Sequence, residues 1–518
     1  MEILGSIRVS ILAVIVVWLA VWGWRYLNWI WLRPKKLERC LRKQGFAGNP
    51  YRLLTGDIKD IAAMREQAIS SPMNFSHDIA PRVIPSMNHT IHTYGKNSFM
   101  WIGPYPRVHI MDPDQLKAAF SLMHDIQKPS INPLSRLLFD GLADHEGPKW
   151  VKHRKIINPA FHFKHLKDMV PAMCESCTEM IRKWEELVSK DGYYELDVMP
   201  HLGNLAADVI SRTAFGSSYE EGKMIFIRLK QLINLIVKVV STVYIPGWRF
   251  VPTKSNNRMK KISKELKTLL LNVINKRQRA MMAGEAMHND LLSILLQSNL
   301  KEIREHENND VGMSIKDIVN ECRVFYLAGQ ETTAMLLVWT MVLLSSYTRW
   351  QDLAREEVLQ VFGNNKPDFD GLNRLKIVTM ILNEVLRLYP PVAFFSRLVQ
   401  NETKLEKLSF PAGVMLSFPI ILIHRDKKLW GDDANEFNPD RFAEGVSKAT
   451  QNQAGFFPFG WGPRICIGQN FAIIEAKIAL SMILQHFSFE LSSSYTHAPT
   501  SNLTTRPQYG AHIMLRKL

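Results

Sequence analysis

The run FPFGWGPRICIG, residues 457–468, seats one cysteine among glycine, proline and arginine. Glycine tolerates positive φ and close backbone approach, so the run reads as a turn that presents the sulfur of Cys466. Directly after it, IGQNFAIIEAKIALSMILQHF (467–487) reads as an amphipathic helix. A helix N-terminus beside Cys466 and a cation, Arg464, two residues away both favour a thiolate. Those are the needs of an anionic ligand or a nucleophile. A buried, inert cysteine needs no such loop.

The other four cysteines, at 40, 174, 177 and 322, bring the total to five in 518 residues, without regular spacing. That pattern gives no disulfide framework and fits a reducing compartment. Cys174 and Cys177 form a C-x-x-C with no second pair to complete a zinc site, so they read as residues of a helix surface. Lysine and arginine outnumber acids 64 to 49, a net charge of +15. Such a balance favours an anionic partner, either an acidic membrane surface or an acidic protein. Basic residues in the body mostly alternate with acids and no nucleic-acid motif accompanies them, so no nucleic-acid partner is expected.

Residues 3–24, ILGSIRVSILAVIVVWLAVWGW, form the only long apolar run. As a helix its 22 positions span about 33 Å, enough for a bilayer. Trp18, Trp22, Trp24, Tyr26, Trp29 and Trp31 supply interfacial aromatics, and the basic RPKKLERCLRK (33–43) follows. The positive-inside rule then places the body in the cytosol behind an uncleaved single-pass anchor. The expected organisation is an anchor over 1–32, a basic hinge over 33–50 and a catalytic domain over 51–518. That domain reads as mainly α with a minor β component, its strand-like pieces lying near 99–112 and 392–424.

Ser314 and Asp317 make a capping-box-like start to an apolar helix running to about Tyr347. Its middle, YLAGQETTAM, encloses polar Glu331 and Thr332 in apolar residues, which is costly without partners or a task. Gly329 and a Thr332 bond back to a carbonyl predict a local distortion there. Upstream of the cysteine, Glu384 and Arg387 in NEVLRLYPP share a helix face. An exposed pair of that kind contributes only about 0.2–0.5 kcal/mol.

Taken in order, W-x-x-x-R (Trp150, Arg154), A-G-x-E-T-T (328–333), E-x-x-R (Glu384, Arg387), P-x-R-F (Arg441) and F-x-x-G-x-R-x-C-x-G (Phe459 to Gly468) resemble the cytochrome P450 family over essentially the whole chain. The resemblance implies that fold, haem b with Cys466 as the thiolate ligand of iron, and oxygen insertion into a C–H bond from O2. It implies propionate contacts from Trp150, Arg154, Arg397 and Arg464, and packing of Phe459 near the sulfur. Glu384, Arg387 and Arg441 would form a structural triad, and Glu331 and Thr332 would deliver protons. No G-x-G-x-x-G follows a strand, so NADPH electrons would come through a separate flavoprotein, an NADPH-cytochrome reductase, docking near Lys152, Arg154 and Lys155.

Within the family, RPKKLERCLRKQGFAGNPYRLLTGD, YIPGWRFVPTK and NPDRFAEGVSKAT resemble the plant group that includes secologanin synthase. That resemblance implies an endoplasmic-reticulum enzyme acting on a lipophilic terpenoid: an iridoid, a triterpenoid or a gibberellin-type diterpenoid. Retention of Glu331 and Thr332 argues against a haem-thiolate isomerase or dehydratase, and equally against a haem or lipid carrier. Ile131, Phe139, Phe325, Ala328, Val392 and Phe394 are expected to line the substrate pocket.

Overall fold

The computed structural model describes residues 2–122, 124–188, 192–284, 290–307 and 309–518. The helices that frame the site are α1 (Glu2–Leu27), α2 (Arg33–Lys43), α3 (Pro113–Ser121), α4 (Gly147–Ile157), α5 (Phe163–Leu187), α6 (Val198–Phe215), α7 (Ile315–Ser346), α8 (Ile377–Leu388) and α9 (Gln469–His486). The main sheet has β1 (Ala47–Gly48), β2 (Ser98–Ile102), β3 (Tyr105–His109), β4 (Ile126–Gln127), β5 (Phe395–Val399) and β6 (Met415–Phe418), in the order β1-β2-β3-β6-β5-β4. Helix dominates and strands are few, in keeping with the composition of the cytochrome P450 fold.

Helix α1 is long and apolar enough to cross a bilayer, and its described apolar side chains are exposed, Leu12 and Val14 by about two-thirds. Among the described residues nothing covers them, as expected for a helix whose solvent is lipid. Residues 33–50, expected as a basic hinge, form α2 and β1 and are docked on the body. The inward stripe of α2 buries Leu37 and Leu41. Glu38, held below the usual carboxylate range by its Lys35 and Arg42 contacts although burial opposes them, anchors the polar face. Gln44 and Ser409 exchange two 2.7 Å hydrogen bonds across 365 residues.

The long helix α7 begins at the capping box foreseen in the sequence. Ser314 Oγ accepts from the Asp317 amide, and Asp317 accepts from the Ser314 amide, each at 3.2 Å. It also passes the length test for a membrane span, yet it is mostly buried and runs through the core. At Gly329 the helix is not broken: α7 runs without interruption from Ile315 to Ser346, and the expected bond from Thr332 back to a carbonyl, that of Ala328, is made. Gly329 serves close packing instead, because a Cβ there would stand 2.8 Å from Ile210 on α6. Cys174 and Cys177 are not on a helix surface. They belong to the inward stripe of α5, and burial pushes the Cys174 thiol up to about 11.

Candidate active site at the cysteine loop

Residues Gly462–Arg464 form a 3₁₀ turn that leads into α9. Gly460 and Gly462 have φ of +77° and +68°, a region that disfavours any side chain. A Cβ on Gly462 would also stand 3.4 Å from the Phe120 carbonyl oxygen at the end of α3. The turn closes where the Cys466 amide donates to the Phe459 carbonyl at 2.9 Å, with Phe459 half-buried against the core. Cys466 is the only exposed cysteine of the five. It is nonetheless densely surrounded by protein atoms. Burial pushes its thiol up, opposed by the Gly468 amide and by Arg154. The nearby cation acting on the sulfur is therefore Arg154, not the sequence-adjacent Arg464. Arg464 turns away to pair with Glu146 and to donate to the His145 carbonyl at 2.8 Å.

Helix α7 changes in exposure at its middle. It is buried through Leu327, exposed at Ala328 and half-buried from Gly329 to Thr332. Phe161 spans the interval between loop and helix. Its ring lies 6.0 Å from that of Phe325, and one ring carbon is 3.7 Å from where a Cβ on Gly468 would be.

Around the loop stand Arg154, Arg397, Arg464 and Lys128. Arg464 lies over the ring of buried Trp150 at 4.1 Å, so Trp150 is a platform for that guanidinium. Arg154 donates to the Ile465 carbonyl at 2.9 Å. Arg397, from β5, lies 5.4 Å over the Phe395 ring, and among the described residues its guanidinium donates to the Ser396 carbonyl alone, at 3.4 Å. Lys128 is pushed down to about 7 by burial, with Arg397 and Arg464 adding repulsion. Burial likewise lowers Arg397, and takes Arg464 to about 10. Among the described residues, Glu146 is the only carboxylate in ion-pair contact with the four, through Arg464. Surplus charge of one sign is costly even when only partly removed from water. A planar ligand carrying two carboxylates beside an accessible sulfur removes that surplus, so the residues fit haem. Lys128 and Phe161 carry no motif and were not foreseen.

On α7 the two candidate proton carriers are engaged. Thr332 Oγ1 donates to the Ala328 carbonyl at 2.6 Å. Glu331 Oε1 pairs with Arg506 and accepts from Thr504 Oγ1 at 2.6 Å, both from the hairpin of Pro499–Ser501 and Thr505–Pro507 or its turn. Sequence reading missed Arg506 and Thr504, which lie more than 170 residues from Glu331.

Below the loop, Glu384 and Arg387 on α8 form a bidentate pair with both contacts at 2.7 Å and no solvent exposure. Arg387 also donates to the carbonyls of His424, Ala434 and Glu436. Arg441 joins more loosely, 3.7 Å from Glu384, and pairs chiefly with Asp433 at 2.6 Å. Of the expected pocket residues, Phe325 and Ala328 sit on α7. Val392 and Phe394 lie half-buried just before β5. Ile131 and Phe139 are half-buried in the segment preceding α4, which is tied to α7 where Arg323 donates to the Leu137 carbonyl at 2.9 Å.

The chain belongs to the cytochrome P450 family, whose sequence profile matches residues 81–513, and is a haem-thiolate monooxygenase. The family implies haem with cysteine-thiolate ligation, O2, and NADPH electrons supplied by a reductase. Within it the chain is a plant member of the CYP72 group. It is 57% identical over 519 residues to cytochrome P450 CYP72A219 of Panax ginseng, covering 100% of both chains. To cytochrome P450 72A397 of Kalopanax septemlobus it is 58% identical over 497 residues, covering 96% of each. Secologanin synthase 1 of Catharanthus roseus is 50% identical over 518 residues, with 99% of each covered.

Proposed function

We propose that the chain hydroxylates a lipophilic plant terpenoid, iridoid, triterpenoid or gibberellin-type diterpenoid, with electrons from a separate flavoprotein reductase at the cytosolic face of the endoplasmic reticulum. The observation that carries the reading is the accessible Cys466 beside a surplus of half-buried cations, with Phe161 bridging from the cysteine loop to α7. Haem held there supplies activation of O2 for insertion into a C–H bond. The chain's own residues have four tasks. Cys466 holds the iron. Arg154, Arg397, Arg464 and Lys128 hold the propionates, with Trp150 fixing the Arg464 plane. Phe325, Ala328, Val392 and Phe394 exclude water and orient an apolar substrate. Thr332 and Glu331 move protons toward the oxygen site once Arg506 and Thr504 release the Glu331 carboxylate.

The iridoid-related name of one relative supports a terpenoid substrate. Exposed α1 supports a bilayer location, as do Trp248 and Phe250 on an exposed stretch containing Arg249. Both lysines expected to receive the reductase are engaged. Lys152 donates to the Asp310 and Gly312 carbonyls, and Lys155 pairs with Glu302 at 2.9 Å. Lys149, paired with Asp317, flanks them on α4. Reductase docking on this face therefore exchanges existing contacts for new ones. The test is turnover of a terpenoid panel in microsomes containing reductase. NADPH-dependent hydroxylated product supports the reading, and product formed without NADPH contradicts it.

A further inference from the structure

Where α4 meets α7, histidines and carboxylates collect that neither the haem contacts nor proton delivery uses. His153 of α4 is fully buried, and its ring lies 4.7 Å from that of His145, in the turn before α4. One ligand atom from each of His145, His153 and Asp317 lies within 4.8 Å of the other two. Each histidine keeps a buried ring nitrogen, Nε2, without a hydrogen-bond partner. Buried polar groups are nearly always hydrogen-bonded, so two orphan nitrogens in adjacent rings point to a missing ligand. His153 Nε2 faces Asp317 Oδ1 at 3.8 Å.

The other ring nitrogen of each histidine is turned to a carboxylate. His153 Nδ1 meets Glu321 at 2.5 Å, and His145 Nδ1 lies 3.7 Å from Asp140. A carboxylate on the far nitrogen orients a metal-binding imidazole and raises its basicity. Glu321 is fully buried, and among the described residues its partners are His153 and the Leu142 amide, with no lysine or arginine. Burial and nearby Lys149 lower His145 to about 4, so it is neutral and its lone pair is available near pH 7. Asp317 is divided: Oδ2 takes the Ser314 amide and hydroxyl in the capping box, and Oδ1 meets Lys149 at 2.9 Å. Lys149 is about half exposed, so giving it up to water costs little.

We propose that His145, His153 and Asp317 bind one divalent transition-metal ion, zinc by its donor set, which ties α4 and the turn before it to α7. Two imidazoles and a carboxylate oxygen are zinc ligands, and water fills the fourth tetrahedral place. Magnesium and calcium demand oxygen donors, so this set turns them away. Zinc bonds of about 2.1 Å put tetrahedral ligand atoms about 3.4 Å apart. The 3.8 Å between His153 and Asp317 closes to that by a small side-chain adjustment. The dication replaces the Lys149 charge on Asp317 and gives buried Glu321 a cation through His153. A protonated His153 paired with Glu321 is the competing arrangement, and it leaves His145 Nε2 without a partner. Because α4 carries Trp150 and Arg154, and Glu146 beside His145 holds Arg464, the ion braces the cations beside the cysteine loop.

The experiment uses the full-length holoenzyme, stripped of loose metal by a chelator that leaves haem in place, and titrates zinc by calorimetry at neutral pH. One zinc per chain should bind, an excess of magnesium should not compete, and zinc-edge X-ray absorption should show two imidazoles on the metal. His145→Gln and His153→Gln each remove a ligand and should weaken binding about 100-fold, whereas Glu321→Gln removes only the orienting carboxylate and should weaken it about tenfold. Lys149→Gln removes the competing cation and should tighten binding severalfold, an effect that loss of structure does not mimic. The reduced carbon monoxide spectrum reports that each variant is folded around haem. If His153→Gln fails that check, His145→Gln and Lys149→Gln decide. Absence of zinc at one per chain overturns the proposal. So does binding that His145→Gln leaves unchanged, which would place the ion on others of the sixteen histidines. Binding no tighter in Lys149→Gln overturns it as well, because Asp317 would then not be a ligand.

Discussion

Two charged regions flank the cysteine loop and are built on opposite rules. Below it, Glu384 and Arg387 are sealed from solvent with every charge answered: two contacts to each other, three backbone carbonyls for the arginine, and the Asn438 amide for the glutamate. Beside it, Arg154, Arg397 and Lys128 have no ion-pair partner among the described residues, and Arg464 alone meets Glu146. A closed network holds structure whether or not a ligand is present. An open one is incomplete until an anion arrives, so chemistry belongs to the open region and rigidity to the closed one.

The largest effect should come from breaking the closed network. Glu384→Ala strands a buried guanidinium and leaves the Asn438 amide without its acceptor, a loss of about 3–5 kcal/mol. Expression should yield little haem-loaded protein, and thermal melts of what remains should fall steeply. A variant with normal melting would show that the pair is not structural.

The open region should respond in haem retention rather than folding. Arg397→Ala is expected to speed haem loss to an acceptor protein by about tenfold, the scale of one charge-assisted bond. Lys128 gives this region a pH signature. Its folded pKa lies near 7, below the ordinary lysine value, so above pH 7 the unfolded chain binds the extra proton. Stability of the haem-free chain should therefore rise from about pH 7 toward 10, and Lys128→Met should flatten that slope. Retention of the slope in the variant would assign it elsewhere.

Smaller effects test the gate on Glu331. Thr332→Ala should raise the NADPH consumed per product severalfold. Arg506→Leu, which removes the cation from Glu331, should change that coupling and its pH profile while leaving the carbon monoxide spectrum in place. Unaltered coupling in both would place proton delivery on other residues.

How much of this the sequence disclosed follows from distance along the chain. The Ser314–Asp317 capping box and the Cys466 turn are local, and the residues that build each lie within a few positions of one another. The pairing of Glu384 with Arg387 was visible, but its burial was not, because the carbonyls that enclose it come from residues 424–436. Lys128, Phe161 and Arg506 carry no pattern of their own and acquire meaning only when the fold brings them to the cysteine loop or α7. Arg464 illustrates the reverse error. Two positions from the cysteine in sequence, it faces Glu146, and Arg154, more than 300 residues earlier, is the cation that acts on the sulfur.

The central claim is that Cys466 supplies the thiolate to iron in the open region. Cys466→Ser measures it directly. The dithionite-reduced carbon monoxide complex of the unmodified enzyme should show the strongly red-shifted Soret band of thiolate ligation, and the variant should lose that band while the closed Glu384–Arg387 network keeps the chain folded. An unchanged band in the serine variant would contradict the assignment.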